Sequence, residues 1–298
     1  FGFVCKTPDG TKMNEVVVFS TSDREIRKRI LQHGDYTLVP YEESRCRIAI
    51  TDVRCTDPEG ECEIEPGSII FSKTFNGIII IGDTDFFLDQ DVELVVQQMC
   101  CGEICSAQLV YKDDDGSLAR KITCKIHLME ATEEQLISDW SWARLYECGL
   151  HHKERGVALV KQEKMIEAFN RFQKALKMVI AIEPIDPQVI DEAKAAELRD
   201  VKLYNNLAHC QLHFGAFGGA LILCNKALHL DPDNIKSLYR RSVAYSGLNM
   251  YEEAWEDIQH ALKLFPNDRT AQQKARELRP KVERINQRYS EVIKKMFT

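Results

Sequence analysis

The feature that most restricts the fold is a stretch of chain that returns after 34 residues. Cys224 to Asn234 reads CNKALHLDPDN and Ile258 to Asp268 reads IQHALKLFPND, with Ala227 over Ala261 and Pro232 over Pro266. Ala220 and Ala254 keep the same spacing. A repeat of this period with helical patterning encodes a helix pair that can bury its apolar face only against a neighbouring copy. Small residues at fixed points mark where the helices of a pair pass closely, because a larger side chain there would force them apart. Such arrays make grooves, so partner binding is expected ahead of catalysis.

The 34-residue period is the signature of the tetratricopeptide repeat. An earlier unit, Gly149 to about Ile182, fits the same register through Gly156, Ala168, Phe172 and Ala175. Ala175 and Ala227 are one period plus 18 residues apart, so an insertion separates the first two units. Its sequence, Glu183 to Leu198, reads as a turn followed by an extended lead-in. Residues 132–267 are expected to hold three repeats, at about 149–182, 201–234 and 235–268, and residues 268–298 a capping helix. In that helix Leu278, Val282, Ile285, Tyr289, Val292 and Met296 form one apolar stripe, with Pro280 expected to kink or restart it. Its basic end, Ile293 to Phe297, also suits calmodulin or a partner helix. Thr132-Glu133-Glu134-Gln135 offers a capping box for the start of the helical region.

Residues 1–131 are of another kind. Short β-branched runs predict strands at Val16 to Phe19, Tyr36 to Val39, Arg45 to Val53, Ser68 to Ser72, Gly77 to Ile81, Ile104 to Tyr111 and Arg120 to Met129. Turn clusters separate them, such as Asp57-Pro58-Glu59-Gly60 and Asp113-Asp114-Asp115-Gly116. Asp91 to Met99 has helical spacing, with Gly102 as the expected stop. The fold class is therefore α+β: a mostly antiparallel sheet with one short helix, then an all-α solenoid.

Charge is divided between the halves. Residues 1–135 hold 14 Lys/Arg against 25 Asp/Glu, and residues 136–298 hold 25 against 21. Neither half offers the dense positive patch that phosphate backbones require, which excludes nucleic acid as the expected partner. No apolar run nears the ~18 residues of a membrane span. Eleven scattered cysteines, odd in number and without a CxxC pair, read as reduced thiols in a cytoplasmic or nuclear protein; Cys55 and Cys62 are spaced too widely for a paired zinc motif. No metal site or cofactor is expected. His209 and His213 are spaced for a metal on a helix but lack a third ligand, so packing is the expected role. Glu59, Glu61, Glu63 and Glu65 read as a solvated edge, and Asp83, Asp85, Asp89 and Asp91 as charges favoured at a helix N-terminus.

The order strand, two-turn helix, Met-x-x-Gly-Glu turn (Met99 to Glu103) and two closing strands resembles the FKBP-type peptidyl-prolyl isomerase domain, which is often followed by tetratricopeptide repeats. Active members floor their proline pocket with a Trp that opens the short helix. Here Leu88-Asp89-Gln90-Asp91-Val92 stands in that place, with Val92 where the Trp falls. The family's Phe-Asp pair before the helix is not recognisable, and the Tyr-containing loop before the last strand shrinks to Lys112 to Leu118. The resemblance therefore implies the fold without isomerase activity; an isomerase with a divergent pocket is the alternative. It further extends to atypical, clock-associated members that bind a casein-kinase-like client.

Repeat co-chaperones of this kind hold the acidic C-terminal tail of a heat-shock chaperone in a five-residue clamp. Carried over position by position, the resemblance puts clamp residues at Lys153, Asn206, Lys236 and Arg240, with Val157 where the fifth, an Asn, is absent. Lys236 and Arg240 lie four apart on one helix face, a like-charge pair that does not stabilise the helix. The implied occupant is an acidic or phosphorylated segment of a protein partner, a chaperone tail or a kinase client.

Overall fold

The computed structural model describes residues 15–64, 66–71, 74–182 and 201–296. The chain divides into two compact units, Phe1–Trp140 and Ser141–Thr298.

The first unit is an antiparallel sheet of β1 (Glu15–Ser20), β2 (Arg24–Gln32), β3 (Arg45–Asp57), β4 (Gly60–Glu61), β5 (Phe75–Ile80), β6 (Ile104–Lys112) and β7 (Leu118–Ala131). The order is β1-β2-β6-β7-β3-β4, with β5 also paired to β3. Alternation along β3 and β7 turns Ile48, Ile50, Ile122, Ile126 and Leu128 to one face, where they are buried with Leu88, Val92, Val95 and Val96 of α1 (Phe87–Val96).

Strand β2 escaped the hydrophobic pattern because it reads REIRKRILQ. Its inward positions include Ile26 and a buried lysine, Lys28, whose ammonium donates to Glu103 Oε1 at 2.8 Å and to the carbonyl of Gln98. Glu103 Oε2 in turn accepts from the Cys100 amide at 3.1 Å. The Met99 to Glu103 turn is thus tied to β2 by a charge pair that replaces an apolar contact.

Four expectations for this unit are corrected. Tyr36 to Val39 forms no strand, since Asp35 accepts from the amide and hydroxyl of Thr37 (2.9 and 2.7 Å) and turns the chain. Residues 68–71 are a turn folded around Asp89, which accepts from Ser68 Oγ and from the Ile69 amide (3.0 Å); Ser72 lies outside the described residues. Helix α1 begins at Phe87 and ends at Val96, before Gly102. Asp89 lies in the first turn of α1 as expected, though buried, whereas Asp91 is not an end charge but a buried carboxylate bridging Arg24 Nη1 (2.7 Å) and the Tyr111 hydroxyl (2.6 Å). Among the glutamates read as an edge, Glu59, Glu61 and Glu63 are exposed, and Glu65 lies outside the described residues.

The expected capping box fails for a clear reason. Thr132 continues the sheet: its Oγ1 accepts from the Arg45 amide at 2.8 Å and its amide donates to the Arg45 carbonyl at 3.0 Å. A hydroxyl held by β3 cannot cap a helix. The first long helix opens at Trp142, with Ser141 Oγ accepting from the Arg144 amide at 3.4 Å.

In the second unit the helices come in pairs: α2 (Trp142–Lys161) with α3 (Met165–Ile182), α4 (Val201–His213) with α5 (Phe217–Leu230), and α6 (Ile235–Gly247) with α7 (Tyr251–Leu264). The alanines that set the register, Ala168, Ala175, Ala220, Ala227, Ala254 and Ala261, are all buried. At Gly156 an added Cβ would lie 2.6 Å from the Phe172 ring. Each pair turns through one residue of positive φ, Glu163 (62°), Gly215 (70°) and Asn249 (64°), and the last two stand one period apart. The echoed Asn234 and Asp268 cap the next helices, accepting from the amides of Ser237 (3.1 Å) and Ala271 (2.8 Å). The insertion proposed over Glu183 to Leu198 lies outside the described residues.

The last helix, α8 (Arg269–Met296), continues through Pro280 instead of restarting there. Only the start of its stripe is packed. Ala271 and Leu278 are buried, Val282 and Ile285 are half-buried, and Tyr289, Val292 and Met296 are exposed. No described helix is long and apolar enough to cross a membrane.

Candidate functional site: the repeat groove

The residues expected to clamp a ligand fall on the first helix of each pair. Lys153 and Val157 lie one turn apart on α2, Asn206 is on α4, and Lys236 and Arg240 lie one turn apart on α6. Asn206 and Arg240 are separated by one period, so they occupy equivalent positions in successive repeats. Helix α4 packs against α6, which brings these equivalent positions onto neighbouring helices.

That packing is pinned by a buried polar knot which the sequence reading missed. Asn205 Nδ2 donates to Ser237 Oγ at 2.8 Å and to Asn234 Oδ1 at 3.2 Å, and Ser237 Oγ lies 3.0 Å from Asn234 Oδ1. Asn205 and Ser237 are both buried. The capping residue of α6 is therefore fastened to α4, and the places of Lys236 and Arg240 relative to Asn206 follow from it. The division of labour between adjacent asparagines is clear: Asn205 binds the neighbouring helix, while the half-buried side chain of Asn206 has no partner among the described residues.

The arginines divide in the same way. Arg241 makes a bidentate pair with Asp257 (2.8 and 2.6 Å) and donates to Asn225 Oδ1 at 3.0 Å. Arg240 makes no ion pair or side-chain hydrogen bond among the described residues. It is nevertheless half-buried, and burial holds its guanidinium below the usual arginine range, with the neighbouring Cys224 and Cys210 thiols acting in the other direction. It stays protonated at neutral pH. A partly desolvated cation without an anion costs free energy in the unliganded fold. Such a group is suited to receive a carboxylate or phosphate.

His209, which the sequence reading set aside as packing, comes under the influence of Arg240. It is exposed on α4, and its imidazole is held below its usual range first by partial burial, then by the charge of Arg240 and by His213. The 34-residue period could not reveal this adjacency, since it needs the crossing of α4 over α6. Lys236 is exposed and Lys153 half-buried. Val157, at the place of the missing amide, is 37% exposed, so it offers the groove an apolar surface.

The chain matches the tetratricopeptide repeat family model over residues 223–256. It is 33% identical over 145 residues to human peptidyl-prolyl cis-trans isomerase FKBP4, covering 49% of this chain and 31% of that protein. The mouse FKBP4 is 34% identical over 119 residues, 40% of this chain and 25% of that protein. The chain thus spans about a third or less of these relatives. Among solved structures, residues 1–211 of CG17282 share the fold with a TM-score of 0.52 at 22% identity, covering 67% of this chain and 93% of that one. The chain is thus similar to tetratricopeptide-repeat proteins over one repeat and, over part of its length, to FKBP-type isomerases.

Proposed function

We propose that the chain is a non-catalytic co-chaperone adaptor whose repeat groove holds the acidic C-terminal tail of a heat-shock chaperone. The observation that carries this reading is Arg240, a half-buried guanidinium with no anion beside it among the described residues, one period from the amide of Asn206, which has no partner among them either. Lys236 and Lys153 supply the remaining cations. Arg240 and Asn206 receive a carboxylate, and the two lysines neutralise flanking acidic side chains.

The reading includes loss of isomerase chemistry. Enclosing a twisted amide needs an apolar cavity with fixed polar contacts, against a rotation barrier of ~18–20 kcal/mol. Val92, at the place of the family's Trp, is fully buried in the core, and β6 joins β7 through residues 113–117 alone. That loop is closed on itself by the Asp113 amide donating to the Ser117 carbonyl at 3.0 Å, which leaves no lid.

A finer reading follows the resemblance to the clock-associated protein Bride of Doubletime. In it the groove's occupant is a casein-kinase-like client, and the setting is cytoplasmic and nuclear. Both occupants present an acidic or phosphorylated segment, and the experiment separates them. An acidic peptide ending in a free carboxylate and the same peptide amidated are titrated into the full chain. Binding of the free acid alone supports the chaperone tail; equal binding of both, with tighter binding of an internal phosphopeptide, supports the client; binding of none rejects the groove as an anion site.

A further inference from the structure

Cys55 and Cys62 are separated in sequence by a turn, and the fold sets them side by side. Thr56 pairs with Glu61 and Asp57 with Gly60 on the β3–β4 hairpin, so Cys55 and Cys62 are the next pair along it. The Cys62 amide donates to the Cys55 carbonyl at 3.0 Å. Their Sγ atoms lie 2.7 Å apart. Residues directly opposed in an antiparallel ladder have Cα atoms about 4.5–5.5 Å apart, within the ~4.4–6.8 Å that a disulfide spans. Closure of the pair therefore asks for no backbone movement.

Other thiols of this unit are engaged differently. Cys105 points at Met99 Sδ (3.6 Å), Cys101 at the Met129 carbonyl (3.4 Å) and Cys46 at the Ser44 carbonyl (3.9 Å). Cys55 is 5% exposed and part of the core, whereas Cys62 is half-buried just beyond the two-residue edge strand β4.

We propose that Cys55 and Cys62 form a reversible dithiol–disulfide pair that reacts with small-molecule disulfides of the glutathione class. The more accessible Cys62 reacts first. Its thiolate attacks one sulfur of glutathione disulfide, a protein–glutathione S–S bond forms, the original S–S bond breaks, and one glutathione leaves as thiolate to be protonated. Cys55 then gives its proton to water and attacks Cys62 Sγ, expelling the second glutathione. Two protein thiols are oxidised and one small disulfide is reduced to two thiols. Burial, followed by the contact with Cys62, pushes the Cys55 thiol up to about 12, so the second step is the slow one. The product ring fastens the Asp57 to Gly60 turn and its acidic flank to β3.

The test treats the full chain with oxidised glutathione at neutral pH, alkylates remaining thiols after denaturation, and digests with trypsin. Cleavage after Arg54 and Lys73 leaves both cysteines in one peptide. The expected peptide is two hydrogens lighter than the dithiol, carries no alkyl group, and returns to the doubly alkylated form after dithiothreitol. Cys55→Ser is expected to retain one glutathionyl group on Cys62, and Cys62→Ser to leave Cys55 alkylated. Double alkylation of the wild-type peptide, or a persistent mixed disulfide on Cys62, under conditions that oxidise an exposed dithiol peptide, overturns the proposal.

Discussion

Replacing Arg240 by Met separates binding from stability at a single position. The thioether side chain fills the volume of the arginine stem but carries no charge, so the ligand's carboxylate loses a charge-assisted hydrogen bond worth about 1.5–3 kcal/mol. The expected loss of affinity for an acidic peptide with a free C-terminus is roughly 10- to 150-fold. Stability should move the other way. No carboxylate faces Arg240 among the described residues, and an unpaired, half-buried cation is a net cost that an apolar side chain removes. A gain of about 1 kcal/mol raises Tm by ~2–4 °C in a unit of this size. Arg241→Met is the control, because it strips a bidentate partner from Asp257, which is 5% exposed. Breaking a buried pair costs about 3–5 kcal/mol, so its Tm should fall by roughly 6–20 °C. Isothermal titration and scanning calorimetry on the same preparations read both effects. If Arg240→Met melts as early as Arg241→Met, the guanidinium is satisfied within the fold and the argument for an anion site collapses. Unchanged peptide affinity refutes it equally.

Three further outcomes follow from the geometry. Val157→Asn restores an amide to an exposed groove position and should tighten binding of the free-acid peptide about 5- to 150-fold, measured by the same titration. Gly156→Ala places a Cβ 2.6 Å from the Phe172 ring and should lower stability by about 1–3 kcal/mol in urea denaturation, with no change in the first unit. Asp268→Ala removes the cap of α8 and should cost about 0.5–2 kcal/mol at pH 7. The hydroxyl of Thr270 and the Ala271 amide hold the Asp268 carboxyl below its ordinary range. Its contribution is therefore complete above the unfolded value of ~3.9 and fades as pH falls through the depressed folded value; the wild-type and variant curves should converge in acid.

Most of the repeat unit was legible because its constraints are local. Helix periodicity and close-packed alanines recur with the chain, so Ala227 and Ala261 report their role by spacing alone, whereas the capping role of Asn234 and Asp268 emerged only in the folded chain. Turns were legible only in part: Gly215 advertises a left-handed residue, whereas Glu163 and Asn249 adopt positive φ because the helix pairs around them fix the turn. The sheet unit was less readable where a charge sits at an inward position. Lys28 made β2 look like surface, and only the arrival of Glu103, 75 residues later, explains its burial.

By itself, the sequence determined that this chain holds one unit built on an antiparallel sheet and one of stacked helix pairs, and which residues stand in register from repeat to repeat. Tertiary structure decided what those residues do. Asn205 and Asn206, and Arg240 and Arg241, are adjacent and chemically identical, yet one of each pair is consumed by the fold and the other makes no side-chain hydrogen bond or ion pair among the described residues. Thr132, suited to cap a helix, extends a sheet because the Arg45 amide reaches it first. Hydrogen-bond partners come from distant segments, and a polar side chain's role is set by whichever of them the folded backbone brings within reach.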